Sequence, residues 1–203
     1  MLRTWLPMFG YCASAAKLSD KLLKKQIVAA RTILEMLDAL ATDTVPFPYA
    51  SSNDMVLLGW IGYERSLCIY FSSFAHEWRV KRKLPGGFVS AAWASQRDEE
   101  LAGLGPPHNN LNKPPWVGNE DVCRSHRSRL IALNEKRYRP LWPSCPRNMP
   151  TLWPQLTNSD PRGYRLRLAP GGPGELHQGE LVLPNWLYFD KNKQEVLDER
   201  DGE

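Results

Sequence analysis

The chain has 203 residues, 42% of them hydrophobic and 24% charged, with a net charge of +4. These values suit one domain, or one domain with an appendage, and exclude a chain too polar to bury a core. No run approaches the roughly 18 uncharged apolar residues of a membrane span, so no membrane partner is expected.

The opening MLRTWLPMFGYCASAAKL holds one early arginine and an apolar patch broken by Pro7, unlike the cleaner apolar run of a signal peptide. Next, Ser19 is placed to cap a helix from Asp20 to about Ala41. Leu22, Leu23, Ile27, Ala30, Ile33, Leu34, Leu37 and Ala41 recur there at three- and four-residue steps. Lys21, Lys24, Lys25 and Arg31 occupy its other face. Thr42–Ser52 is expected to be a loop, because Pro46 and Pro48 block helix continuation.

A longer second helix is expected from Asn53 or Asp54 to about Lys83, with Trp60, Tyr63, Leu67, Tyr70, Phe71, Phe74 and Trp78 among its apolar positions. The run Arg79, Lys81, Arg82, Lys83 ends it favourably against the helix dipole and reads best as a solvated helix end. Gly62 inside that helix implies close backbone packing, and Glu64 reads as the ion-pair partner of a buried arginine or as a carboxyl with a raised pKa.

Phe88–Ser95 is expected to add a short helix and Gly103–Pro115 a surface loop. A third helix is expected from Asn119 to about Asn134, and the prolines from Pro140 to Pro154 then exclude long regular structure. After Pro154 the texture changes. Tyr164–Leu168 alternates, Gly171–Gly174 is a turn, and Glu180–Leu183 and Trp186–Phe189 resemble short strands. The tail from Asp190 is acidic and reads as solvated. The expected fold is therefore mainly α: a compact domain of three or more helices over 1–154, then a small β-rich extension over 155–203.

Three observations bear on function. Eight tryptophans suit packing better than base stacking. The four cysteines, Cys12, Cys68, Cys123 and Cys145, form no CxxC pair. They suggest neither a zinc site nor a disulfide framework, and a reducing setting fits them. No cofactor or metal is expected, since Cys123 and His126 make half of a metal site without a second half.

The third observation is charge. Between Glu120 and Pro150 seven basic residues stand against three acids, which accounts for the whole net excess. On a helix, Arg124, Arg127 and Ser128 share an outer stripe, with Arg124 and Arg127 spaced to grip adjacent phosphate oxygens. His126 sits off that stripe nearer Arg129, suited to donate to a phosphate, to transfer a proton, or simply to be a half-buried satisfied histidine. The expected nucleic-acid contacts are Lys21, Lys24, Lys25, Arg124, His126, Arg127 and Arg129, with DNA or another anionic partner as ligand.

Several segments, in order, give a further reading. They are Thr4–Pro7, Leu18–Gln26 with its KKQ core, Asn53 with Trp60-x-Gly62-Tyr63-Glu64, Pro115–Glu120, Arg124–Ser128, Tyr138-Arg139-Pro140 and Leu152-Trp153-Pro154. Together they span about three quarters of the chain and resemble a family of small bacterial proteins related to pyrimidine-dimer DNA glycosylases of the phage endonuclease V type. The resemblance implies a free N-terminal amine that attacks the sugar C1′ to form an imine, assisted by a glutamate on the first long helix. Here the matching helix position is Ala29. Leu2 is too large for ordinary initiator-methionine removal, so the amine belongs to Met1. The family's histidines are replaced at Asp54 and Cys123. Polar positions have changed while packing residues remain, as expected of a scaffold kept without its reaction.

Three functions follow. The first is a nucleic-acid-binding, DNA-repair-like pseudoenzyme on the glycosylase-like scaffold. The second is a structural or assembly component of a virion or other large complex, with protein partners at the C-terminal extension. The third is an active glycosylase/lyase using replaced residues, with Met1, Glu64 and His126 as candidate catalytic groups. The expected location is intracellular, cytoplasmic or nuclear, or virion-associated.

Overall fold

The computed structural model describes residues 4–41, 59–85, 91–103, 111–156 and 164–168. In order they form α1 (Tyr11–Lys17), α2 (Asp20–Ala41), α3 (Glu64–His76) with a π-helical turn at Glu77–Lys81, α4 (Ala91–Gly103), α5 (Glu120–Leu133), α6 (Glu135–Tyr138) with a 3-10 turn at Arg139–Leu141, and the strands β1 (Leu152–Leu156) and β2 (Tyr164–Leu168). The fold is mainly helical, as the sequence predicts. No described helix is long and apolar enough to cross a membrane.

α2 has the limits its periodicity predicts, and Ser19 Oγ accepts the Leu22 N–H at 3.4 Å at its start. α5 likewise matches. Asn119 caps it by accepting the N–H groups of Asp121 and Val122, with Glu120 and Asp121 in the first turn where the dipole favours acid.

The expected second helix is shorter than its apolar pattern suggests. Residues 59–62 form a turn in which Gly62 adopts φ 75°, and the helix starts only at Glu64. A positive φ cannot propagate a right-handed helix, and it is cheap only for glycine. Gly62 is therefore a turn residue rather than a packing gap inside a helix. The part expected at 53–58 lies outside the described residues, as does the Thr42–Ser52 loop.

Of the expected Phe88–Ser95 helix, 88–90 lie outside the described residues, and α4 runs on past Ser95 to Gly103. Trp93 meets Phe71 at 5.2 Å, Leu101 is buried, and Arg65 of α3 holds Asp98 through two nitrogens at 2.9 and 3.0 Å. The Arg65–Asp98 and Arg97–Asp38 pairs that also hold it are ionic, so they leave no apolar periodicity to read.

The core lies between α2 and α3, and an extended segment passes through it. Thr4, Trp5, Leu6 and Pro7 are all buried. This strap has neither helix nor strand partners, so side chains satisfy its backbone. Trp5 N–H donates to Gln26 Oε1 (2.6 Å) and Leu6 N–H to His126 Nδ1 (3.0 Å), while the Trp60 indole donates to Thr4 Oγ1 (3.2 Å). Tyr70 hydroxyl reaches the same Gln26 oxygen at 2.8 Å. Unsatisfied polar groups in such a place would each cost about 1–3 kcal/mol.

β1 closes the core from the other side of α5. Ser125 Oγ accepts the Leu152 N–H at 3.1 Å, and Ser128 Oγ accepts that of Met149 at 2.9 Å. The Trp153 ring sits 4.8 Å from His126 and 5.8 Å from Trp5. β1 pairs antiparallel with β2, Leu152 opposite Leu168 through Leu156 opposite Tyr164. The position of the expected 154/155 boundary lies within β1, of which Trp153 is buried in the core. Of the β-rich extension only this hairpin is described; Gly171–Gly174, Glu180–Leu183 and Trp186–Phe189 lie outside the described residues.

Candidate nucleic-acid interface

The segment that looked most functional in the sequence is largely turned inward. Around α5 the buried positions are Val122, Cys123, Ser125, His126, Ser128, Leu130 and Ile131, because the strap packs on one side and the 145–153 segment on the other. His126 is wholly buried, its ring edge-on to Trp5 at 5.2 Å and its Nδ1 held by the strap. A surface phosphate contact by His126 is thereby overturned: its acceptor nitrogen serves the backbone of Leu6. Ser128 is no part of an outer stripe either. Cys123, the neighbouring half of the discarded metal pair, is buried too, and burial pushes its thiol up to about 11.

The arginines divide. Arg127 grips both oxygens of Glu120 at 2.8 and 2.7 Å, so the paired phosphate clip expected from Arg124 and Arg127 is half neutralised. Arg124 and Arg129 are exposed and take part in no ion pair among the described residues. Five positions separate them, about 140° around the helix, so they do not point at one spot. Arg139 is held by Glu135 and by the carbonyl of Cys145 at 2.6 Å, and Arg147 by Glu135.

The candidate catalytic groups are not assembled by what is described. Met1 lies outside the described residues. Ala29 is buried on α2, where a methyl offers no proton or charge. Glu64 is buried in the first turn of α3 and accepts the Gly62 N–H at 3.0 Å, bracing the positive-φ turn. Among the described residues no group of three or more His, Cys, Asp and Glu side chains is arranged to hold a metal ion.

A different basic surface is built by the fold. The junction between α1 and α2 is gripped by two arginines from distant parts of the chain. Arg82 donates to the carbonyls of Ala15 (3.0 Å), Ala16 (3.2 Å) and Leu18 (2.9 Å), and to the carboxylates of Asp20 (2.7 Å) and Glu77 (2.8 Å). Arg137 donates to Leu18 O at 3.2 Å, and the adjacent Tyr138 hydroxyl accepts the Ser19 N–H at 2.9 Å. Arg82 thus supplies donors to the C-terminal carbonyls of α1, where Ala15 O also accepts the Leu18 N–H at 3.2 Å.

These contacts gather three stretches, 17–25, 77–83 and 135–139, at one end of the molecule. Together they hold eleven basic residues against three acids. All three acids are already committed, Asp20 and Glu77 to Arg82 and Glu135 to Arg139 and Arg147. Lys21, Lys24, Lys25, Arg79, Lys81, Lys83, Lys136 and Arg137 are all exposed. A comparison with family models, with curated proteins and with solved structures finds no match to this chain. The site thus stands on its own geometry.

Lys21, Lys24 and Lys25 belong to the surface the sequence predicted; the other two stretches do not. The run at Arg79–Lys83 reads in sequence as a solvated helix end, yet the Arg82 side chain is only 16% exposed and fastens two helices together. The signal that flags this cluster is a π-helical turn closing α3, followed by Lys83 at φ 53°. Such irregular turns recur at functional sites but leave no pattern in hydropathy.

Proposed function

We propose that this protein binds nucleic acid through the basic end around the α1–α2 junction and performs no glycosylase/lyase reaction. The observation that carries the reading is the convergence there of eleven basic residues with three acids, each of the acids consumed by an internal ion pair. A field of one sign on one face concentrates phosphate, and each phosphate neutralised releases condensed counterions. The buried methyl of Ala29 supports the second half of the proposal, because the resemblance places the assisting carboxylate at that position.

Binding of the full chain to a labelled duplex, followed by anisotropy across a salt series, tests the first half. Tight association at low salt is expected, weakening on a log–log line with slope of about −0.9 per phosphate contacted. Lack of association even at the lowest ionic strength would end the proposal. Borohydride trapping on a lesion-containing duplex tests the second half, and a covalent adduct would restore the catalytic reading of Met1, Glu64 and His126.

A further inference from the structure

The basic end uses its arginines and most of its lysines differently. Arg82 spends its nitrogens on the carbonyls of Ala15, Ala16 and Leu18 and on Asp20 and Glu77, Arg139 on Glu135 and Cys145 O, and the exposed Arg137 gives one nitrogen to Leu18 O. Arg79 is likewise engaged within the chain. Lys24 is engaged as well, whereas Lys21, Lys25, Lys81, Lys83 and Lys136 are exposed and join no ion pair among the described residues, so lysine supplies most of the uncommitted charge. The difference matters chemically. A guanidinium presents a planar fork that matches the acceptor edge of guanine, whereas an ammonium is a hydrated point charge on a flexible stem.

Rings are turned inward in the same way. The three stretches contain two aromatic residues, Trp78 and Tyr138, and both are buried at 7% and 1% exposure. Trp142, just beyond the third stretch, has one face stacked on Tyr138 at 6.1 Å and 10°. Among the described residues these stretches therefore offer no open row of rings of the kind on which unpaired bases stack.

We infer that this surface takes the phosphate backbone of double-stranded nucleic acid without reading base identity. The inference rests on the function proposed above. Affinity follows charge density: duplexes of any sequence bind alike, single strands of equal length bind less tightly, and a non-nucleic polyanion such as heparin competes.

The test uses the full chain with a set of duplexes of equal length and contrasting composition, the matching single strands, and one round-by-round selection from a randomised duplex library. The expected result is affinities agreeing within about threefold, weaker single-strand binding, and no enriched motif. Base readers instead lose about tenfold or more for one wrong pair. Enrichment of a motif, or stronger binding of single strands than duplex, would overturn the inference while leaving nucleic-acid binding intact. Failure of every nucleic acid to bind would remove the proposed function and this inference with it. Two variants separate the cations: Lys21→Gln/Lys25→Gln/Lys136→Gln flattens the salt dependence, while Arg137→Lys leaves it unchanged. Loss confined to Arg137→Lys, in protein that melts normally, would also overturn the inference.

Discussion

The interior around the strap and the basic end at the α1–α2 junction use polar groups in opposite ways. In the interior Gln26, His126, Thr4 and the indole of Trp60 meet backbone and one another with little solvent, among the rings of Trp5, Tyr70 and Trp153. At the basic end the polar groups are charges, and the few that are buried serve to hold lysine-rich turns in place. Buried hydrogen bonds fix one arrangement because leaving them unmade is expensive; exposed charges act at range and tolerate change. The lesson is that a histidine within an arginine-rich segment belongs to the first kind of chemistry and not to the second.

That contrast can be broken most forcefully from inside. Trp153→Ala removes the ring that seals His126 and Trp5, and a loss of about 3–5 kcal/mol is expected for such a core truncation. Thermal unfolding should drop by roughly 10 °C for a chain of this size. A shift of a degree or two would mean that β1 is an appendage after all. Gln26→Leu strands the Trp5 N–H and leaves the Tyr70 hydroxyl only its 3.5 Å contact to Trp5 O, which predicts about 2–3 kcal/mol by urea titration. Arg82→Met tests the join between the two regions. It deprives two α1 carbonyls and that of Leu18 of a donor at a partly solvated site, so about 1–2 kcal/mol is expected, with a smaller salt slope for nucleic acid. The smallest effect should come from Lys21→Ala/Lys25→Ala/Lys136→Ala. Its stability should stay within about 0.5 kcal/mol of the parent, as for most surface changes. Its log–log salt slope should nevertheless be shallower by about 2.7 if all three contact phosphates. A large loss of stability would show that these lysines are structural.

Much of the helical frame was legible in the residues. The three- and four-step recurrence across α2 and the Asn119 cap of α5 are local signals, and local signals survive into the fold. The start of α3 was not, because Trp60 and Tyr63 continue the apolar rhythm through a turn that only the backbone of Gly62 reveals. The site was half legible. Lys21, Lys24 and Lys25 stand out on their helix, whereas Arg82 and Arg137 gain their meaning from carbonyls more than 60 and more than 115 positions away. His126 was misread for the same reason. Its partners, Leu6 and Trp153, are 120 residues before it and 27 after, and no periodicity within α5 announces that both of its sides are covered.

The strap has a consequence for how the chain comes to be folded. Thr4, Trp5 and Leu6 find their partners at Trp60, Gln26 and Tyr70, and His126, so the last of these contacts must wait until more than a hundred further residues have left the ribosome. Closure at such separations is slow compared with helix formation. In the interval the apolar side chains of the strap are open to unwanted company, so this short segment is where assistance during synthesis would matter most.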